Sequence, residues 1–369
     1  MSWTGSLSSL LEKVTTITTD GSGKVNNLAK ATRLLGKENV RCIAHTLQLV
    51  QRDVCAGEPS LVSALGLARR IIGKVRKSTV LRELIGRLAT ASPTRFDSSF
   101  ISLQILLNHR ELLEQAKDAM VDDLEEDVTL FLQIVDTPAF VLLTKLLRHF
   151  YGISDLLSLE STSTVALVVP ALSELRGNIA NLPTNLHAVH NAVQNAGVSM
   201  AYRLGFVFGR GSIYMRAFLL HPASLNPRLF VPTFPPGHMF AETQADFDAE
   251  INAKKPPPRP SACTRVELAS GVFVNLNSDV PTVRNSAAEE WSCRPSNPSD
   301  VLRYFALHGS SYPLVTPIAA GLLGIPATEL MVERLFSQAG RIVNPHRSKT
   351  SAAFLESQVL FSDMLRRRR

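Results

Sequence analysis

The sequence predicts an α/β protein in which a large, mainly α-helical insertion separates a strand-bearing beginning from a helical end. Three observations carry that expectation. Val14–Thr19 is a β-branched run, the side-chain type that fits a pleated surface. From Leu130 to Arg176, apolar residues such as Phe131, Ile134, Val135, Phe140, Leu143, Leu146 and Leu147 recur at helical spacing. Near the end, Val315, Ile318, Ala319, Leu322 and Leu323 outline one helix; Pro326 breaks the pattern, and a second helix sets Glu333 and Arg334 among apolar residues. An acid in such surroundings is costly to bury without a partner, so Glu333 needs a reason: an active site, an assembly interface or both.

The elements follow in order. Leu7–Val14 reads as a short amphipathic helix leading into the strand that ends at Thr19. Asp20-Gly21-Ser22-Gly23 closes the strand, and Val25–Leu35 resumes as a helix. Asp20 is then either an acid at the C-terminal end of a strand, where α/β units meet ligands, or a turn and capping residue. Val40–Val50 is strand-like and then helical; its Cys42-x-x-His45 is half of a zinc site or a structural pair, with no second half at a sensible distance. Ser63–Leu88 is a basic amphipathic helix or pair of helices, followed by a loop at 92–100 and a helix at Ile101–Leu113. Another helix covers roughly 184–205, where His187-x-x-His190 lacks a nearby carboxylate or third His to complete a metal set. Pro222–Pro260 holds nine prolines and reads as an exposed loop unable to sustain a helix. Residues 261–298 give no clear pattern, and Val301–Leu307 returns to helix.

Composition narrows the function classes. With 369 residues, 45% apolar and 19% charged, the chain suits a folded, soluble protein of two domains, or one with a large insertion. Cys42, Cys55, Cys263 and Cys293 form no paired spacing and are expected as reduced thiols of an intracellular protein. No run of about 18 apolar residues exists, so no membrane span is expected. The net charge of +7 is polarised: residues 61–90 carry seven Lys/Arg against one acid, whereas 111–127 hold eight acids and one Lys. Residues 334–369 add eight Lys/Arg against two acids. Such runs suit either a phosphate-facing surface or solvated helix faces.

Taken together, Thr18-Thr19-Asp20, Cys42-x-x-His45, Pro93-Thr94-Arg95-Phe96-Asp97-Ser98, and Tyr312-Pro313 through Ile325-Pro326-Ala327-Thr328 to Glu333-Arg334-x-Phe336-Ser337-x-Ala339-Gly340 resemble the hAT superfamily of DNA transposases. The strongest likeness is to that family's C-terminal dimerisation region, through residues 300–363. The resemblance implies an RNase H-like core, here incomplete, interrupted by the helical insertion. Residues 1–100 would be the first part of that core, 101–299 the insertion, and 300–369 the dimerisation region that completes it. It also implies a divalent metal, Mg²⁺ or Mn²⁺, held by acids that converge on the scissile phosphate. Asp20 matches the second acid and Glu333 the last. Arg95 and Phe96 match an Arg-Trp pair that stacks on a flipped base, Cys42 and His45 a motif near the active site. Arg347 and Lys349 are candidate DNA contacts, Arg334 the charge partner of Glu333. Leu322, Leu323, Leu335, Phe336, Phe354 and Leu355 are core or assembly residues.

The departures weigh against chemistry. The first Asp of the family's set has no match before Asp20, Phe96 stands for Trp, and Gly21 stands for Asn. Glu329, Leu330, Met331 and Val332 replace mostly small residues. The expectation is a catalytically inactive, transposase-derived nuclear protein that self-associates and contacts DNA, with no membrane role. The alternatives are an active metal-dependent transposase or nuclease whose first Asp and zinc finger lie upstream, and an unrelated helical interaction protein.

Overall fold

In a computed structural model of the chain, the β-branched run forms strand β1, Thr16–Thr19, which pairs in parallel with β2, Glu38–Arg41. The register sets Thr16 opposite Glu38 and Thr19 opposite Arg41. The structure describes residues 14–20, 30–88 and 96–221 with gaps at 31, 33, 87, 89–95, 121–122 and 160–161, then 265–267, 273–275 and 301–342 except 314. It also describes single positions at 242, 245, 246, 249, 351, 354, 356–358 and 361. Between the two strands, Lys30, Thr32 and Leu34 are helical, as the sequence predicts.

The predicted helical middle is present. Helices α1 (Ile43–Ala56), α2 (Pro59–Lys77), α3 (Thr79–Ile85), α4 (Phe96–Asn108) and α5 (Arg110–Gln115) come first. They are followed by α6 (Asp123–Val135), α7 (Pro138–Leu156), α8 (Thr164–Ala180), α9 (His187–Leu204) and α10 (Ile213–Leu219). Helix α7 is the central one, packing against α1, α2, α4, α6, α8 and α9. Its start is well signalled: the Thr137 hydroxyl accepts the Phe140 N–H, and Pro138 occupies the first turn, where a missing N–H costs nothing. Its Phe140 and Phe150 join Phe131 of α6 among the largest fully buried side chains, each worth about 1.5–3 kcal/mol of apolar burial. No single described helix is long and apolar enough to cross a membrane.

The opposing charge runs meet each other at the surface of the bundle. Arg70 of α2 pairs with Asp127 of α6 at 2.8 Å, and Lys74 reaches Asp127 at 3.3 Å and Asp123 at 3.8 Å. Arg69 donates to the Ser99 hydroxyl at 2.5 Å. Three of the seven cations of the basic run are therefore engaged in contacts between helices.

Two regions differ from expectation. Within the stretch read as unable to sustain a helix, Glu242, Ala245, Asp246 and Ala249 are helical. The physical reason is local: all nine prolines lie at 222–236 or 256–260, leaving 237–255 without one. In the patternless 261–298, Arg265–Glu267 and Phe273–Asn275 form an antiparallel pair, β3 and β4. The chain then returns through α11 (Val301–His308), α12 (Thr316–Leu323) and α13 (Leu330–Ile342). Helix α12 packs on α8, α10 and α11 and brings the C-terminal segment back to the first strand.

Candidate functional site

The segment linking α12 to α13 is stitched to the beginning of the chain. The Thr18 hydroxyl donates to the Pro326 carbonyl at 2.9 Å, and the Ile43 N–H to the Ala327 carbonyl at 3.0 Å. The Ala327 N–H in turn donates to the Thr164 hydroxyl at 3.0 Å, fixing the same residue to the start of α8. These contacts set the foot of α13 beside the end of β1, where Asp20 lies.

Cys42 is the hinge pin of this junction. It is 1% exposed, and its sulfur accepts the His45 N–H, capping α1, and the Glu329 N–H, both at 3.4 Å. The Cys-x-x-His spacing thus serves as a helix cap, with sulfur in the place Ser or Thr usually takes. Burial pushes the Cys42 thiol up to about 11, which keeps it protonated at neutral pH. Cys42 and Cys55 are both free and buried.

Three carboxylates gather here: Asp20, Glu329 and Glu333. Glu329 accepts the backbone N–H of Asp20, and its pKa is raised from an ordinary 4.5 to about 7. Burial is the main cause, followed by the nearby charges of Asp20 and then Glu333. The sequence-predicted acids Asp20 and Glu333 therefore both act on one carboxyl group, that of Glu329, which sequence reasoning noted only as a bulky replacement. Arg334 follows Glu333 and so points about 100° away around the helix axis. It donates to the Ser158 carbonyl at 3.4 Å.

Carboxylate oxygens suit Mg²⁺ or Mn²⁺ by hardness. Among the described residues, however, no group of three or more acids, histidines or cysteines is arranged to hold a metal ion. As placed, Asp20 and Glu333 both bear on the carboxyl group of Glu329.

Beside these acids, α13 also presents open apolar side chains. Leu330, Met331 and Leu335 are half-buried, and Val332 and Phe336 are 51% and 70% exposed. Phe354 and Phe361, seven residues apart and so on one helical face, are 53% and 59% exposed. Leu322 and Leu323, expected as core or assembly residues, lie in this chain's own core at 7% and 2% exposure. Among the described residues from 301 onward, the exposed large apolar side chains are Leu302, Leu307, Val332, Phe336, Phe354 and Phe361. Arg95, Arg347, Lys349 and Leu355 lie outside the described residues, and Phe96 is described only as the first residue of α4. His187 meets Asn191 at 3.2 Å in an ordinary polar contact.

Comparison with known proteins bears on the C-terminal segment and on the chain as a whole. Residues 284–365 match the hAT family C-terminal dimerisation region. The chain is also 22% identical over 377 aligned positions to a Zea mays protein described as "Putative AC transposase", the match covering 88% of this chain. It spans 44% of that relative's length, a little under half.

Proposed function

We propose that this chain, a hAT-family transposase-related protein, functions by self-association through its C-terminal region and is not by itself an active transposase. The observation that carries the reading is α13: five large apolar side chains in seven positions, Leu330, Met331, Val332, Leu335 and Phe336, with none fully buried by the chain's own fold. Apolar surface of that kind, rimmed by polar groups, is what assembly interfaces present. The matched dimerisation region supports a second copy as the partner. Sedimentation at about 50 µM detects any dimer of micromolar affinity, roughly 8 kcal/mol of association. A wild-type chain that stays monomeric there refutes the reading.

DNA is the second partner in this proposal, supported by the net charge of +7 and by exposed Arg76 and Lys77 at the end of α2. The cationic tail Arg366–Arg369 supports nuclear residence as well. An RNase H-like arrangement of the first strands is part of the same reading, supported by the parallel β1–β2 pair that ends at Asp20.

A second reading, metal-dependent strand cleavage, draws on one observation: Asp20 and Glu333 both bear on Glu329. Under it, millimolar Mn²⁺ raises the melting temperature of the wild type but not of Glu333→Gln. Equal melting curves with and without Mn²⁺ leave the inactive reading standing.

A further inference from the structure

We infer that Thr79, at the break between α2 and α3, is a phosphorylation site for a protein kinase that reads basic residues, and that its phosphate silences the cations this surface offers to DNA. The site stands on the surface around the break, and its effect on DNA rests on the DNA reading above.

The break is a basic knuckle with two hydroxyls at its centre. Residues 74–85 run Lys-Val-Arg-Lys-Ser-Thr-Val-Leu-Arg-Glu-Leu-Ile, with Glu83 the one acid among four cations. Lys74 is taken up by Asp123 and Asp127, whereas Arg76, Lys77 and Arg82 are exposed. The two hydroxyls are not equivalent. Ser78 is half-buried, and its oxygen accepts the Leu81 N–H at 3.3 Å, which caps α3. Thr79 is exposed, beside Val80 at 57% exposure. Arg76 stands three residues before Thr79, Lys77 two before and Val80 directly after, the order in which basophilic kinases read a substrate. Only Leu81 and Ile85 of the seven residues of α3 are buried, so this segment opens into a kinase cleft at less cost than the bundle itself.

In the transfer, the Thr79 oxygen attacks the γ-phosphorus of ATP. The new O–P bond forms as the bond to the β–γ bridging oxygen breaks; ADP leaves, and the hydroxyl proton passes to the kinase's base. The receiving cation is already in place. Arg82, one helical turn on, donates from Nη2 to the Thr79 hydroxyl and from Nε to the Ser78 carbonyl, both at 3.3 Å. A phosphate on Thr79 sets a charge of about −1.5 to −2 beside that guanidinium and replaces a neutral acceptor with a charged one. It offsets roughly two of the three exposed cations, which then no longer release counterions from DNA.

The full-length chain, incubated with ATP and the catalytic subunit of cAMP-dependent protein kinase, tests this by mass spectrometry. Wild type should take phosphate at Thr79, and Thr79→Val, which keeps the shape of the side chain, should take none there. Both treated proteins are then titrated with a short DNA duplex over a salt series. Phosphorylated wild type should bind on the order of tenfold more weakly than treated Thr79→Val, with a salt slope shallower by about two. Phosphate absent from Thr79, or found on Ser78 in its place, overturns the proposal. Phosphate on Thr79 with an unchanged salt slope overturns its control of DNA binding. Untreated wild type that binds no DNA refutes the DNA reading instead, and the mass spectrum alone then decides the site.

Discussion

Glu329→Gln yields the sharpest prediction, because its sign reverses common intuition about removing a charge. Glu329 is pushed from 4.5 to about 7, first by burial and then by Asp20 and Glu333. A raised folded-state pKa means that the folded chain binds more protons than the unfolded one between about pH 4.5 and 7. Stability from this residue therefore falls as pH rises through that window, and the penalty is complete above about pH 7. Each pKa unit is worth about 1.4 kcal/mol, which caps the penalty at roughly 3 kcal/mol. Solvent screening at a half-buried carboxyl brings it to about 1–2 kcal/mol. Gln keeps an oxygen to accept the Asp20 N–H and never ionises. The variant should be more stable than wild type by about 1–2 kcal/mol at pH 8, with the difference vanishing near pH 4.5. Urea midpoints at low protein concentration, with Phe336→Ser as the background, read this without interference from association. A difference that is the same at both pH values, or a destabilised variant at pH 8, refutes the assignment of Glu329 as the strained acid.

The remaining predictions concern the supports of the fold. Cys42→Ala should destabilise by about 2–3 kcal/mol, since it empties a buried site and leaves the His45 and Glu329 N–H groups without their acceptor. Cys42→Ser should recover much of that in the same urea titration, and native Cys42 should resist alkylation at pH 8 because burial lifts its thiol to about 11. At the α1–α9 contact, burial raises the Asp53 carboxyl, but bonds from Arg203 at 2.6 and 3.1 Å and from Ser199 at 2.6 Å outweigh it and hold its pKa low. Asp53→Ala should therefore cost about 1–2 kcal/mol at neutral pH, and the loss should shrink as acid protonates Asp53 in the wild type. Asp127→Asn removes the charge that faces Arg70 and Lys74, leaving Lys74 only the longer Asp123 contact, and should steepen the salt dependence of DNA binding.

How much of this was legible in the sequence depended on whether the signal was local. Thr16–Thr19 announced a strand through β-branching, and α7 announced its start through Thr137-Pro138, because those signals act within a few residues. The meeting of Asp20 with Glu329 was not legible: the two lie more than three hundred positions apart, and packing of α12 on α8 and α10, with the hydrogen bonds of Pro326 and Ala327, brings them together. Periodicity could not separate Leu322 and Leu323, which point into the chain's own core, from Phe336, which points out, because both obey the same apolar rule. Cys42 escaped for a chemical reason. Sulfur is an uncommon cap acceptor, so Cys-x-x-His suggests metal before it suggests a helix start.

The charge pattern shows why composition alone misleads about partners. A run of seven cations in thirty residues reads as a surface for phosphate, yet Arg70 and Lys74 face Asp123 and Asp127 from the acidic run, and Arg69 faces Ser99. Such pairs contribute little individually to stability, about 0–1 kcal/mol when exposed. They nevertheless lower the number of cations available to a polyanion, and the salt slope of binding counts only those. Among the described residues of that run, Arg76, Lys77 and Arg82 remain exposed, the first two at the end of α2, where they also complement the helix dipole. A DNA contact built on so few charges is weak as a single copy and gains strength when copies are joined, since linked sites bind by effective concentration. Self-association through α13 is thus the step on which the DNA reading depends, and a chain kept monomeric by Phe336→Ser should lose DNA affinity more than its unchanged charge predicts.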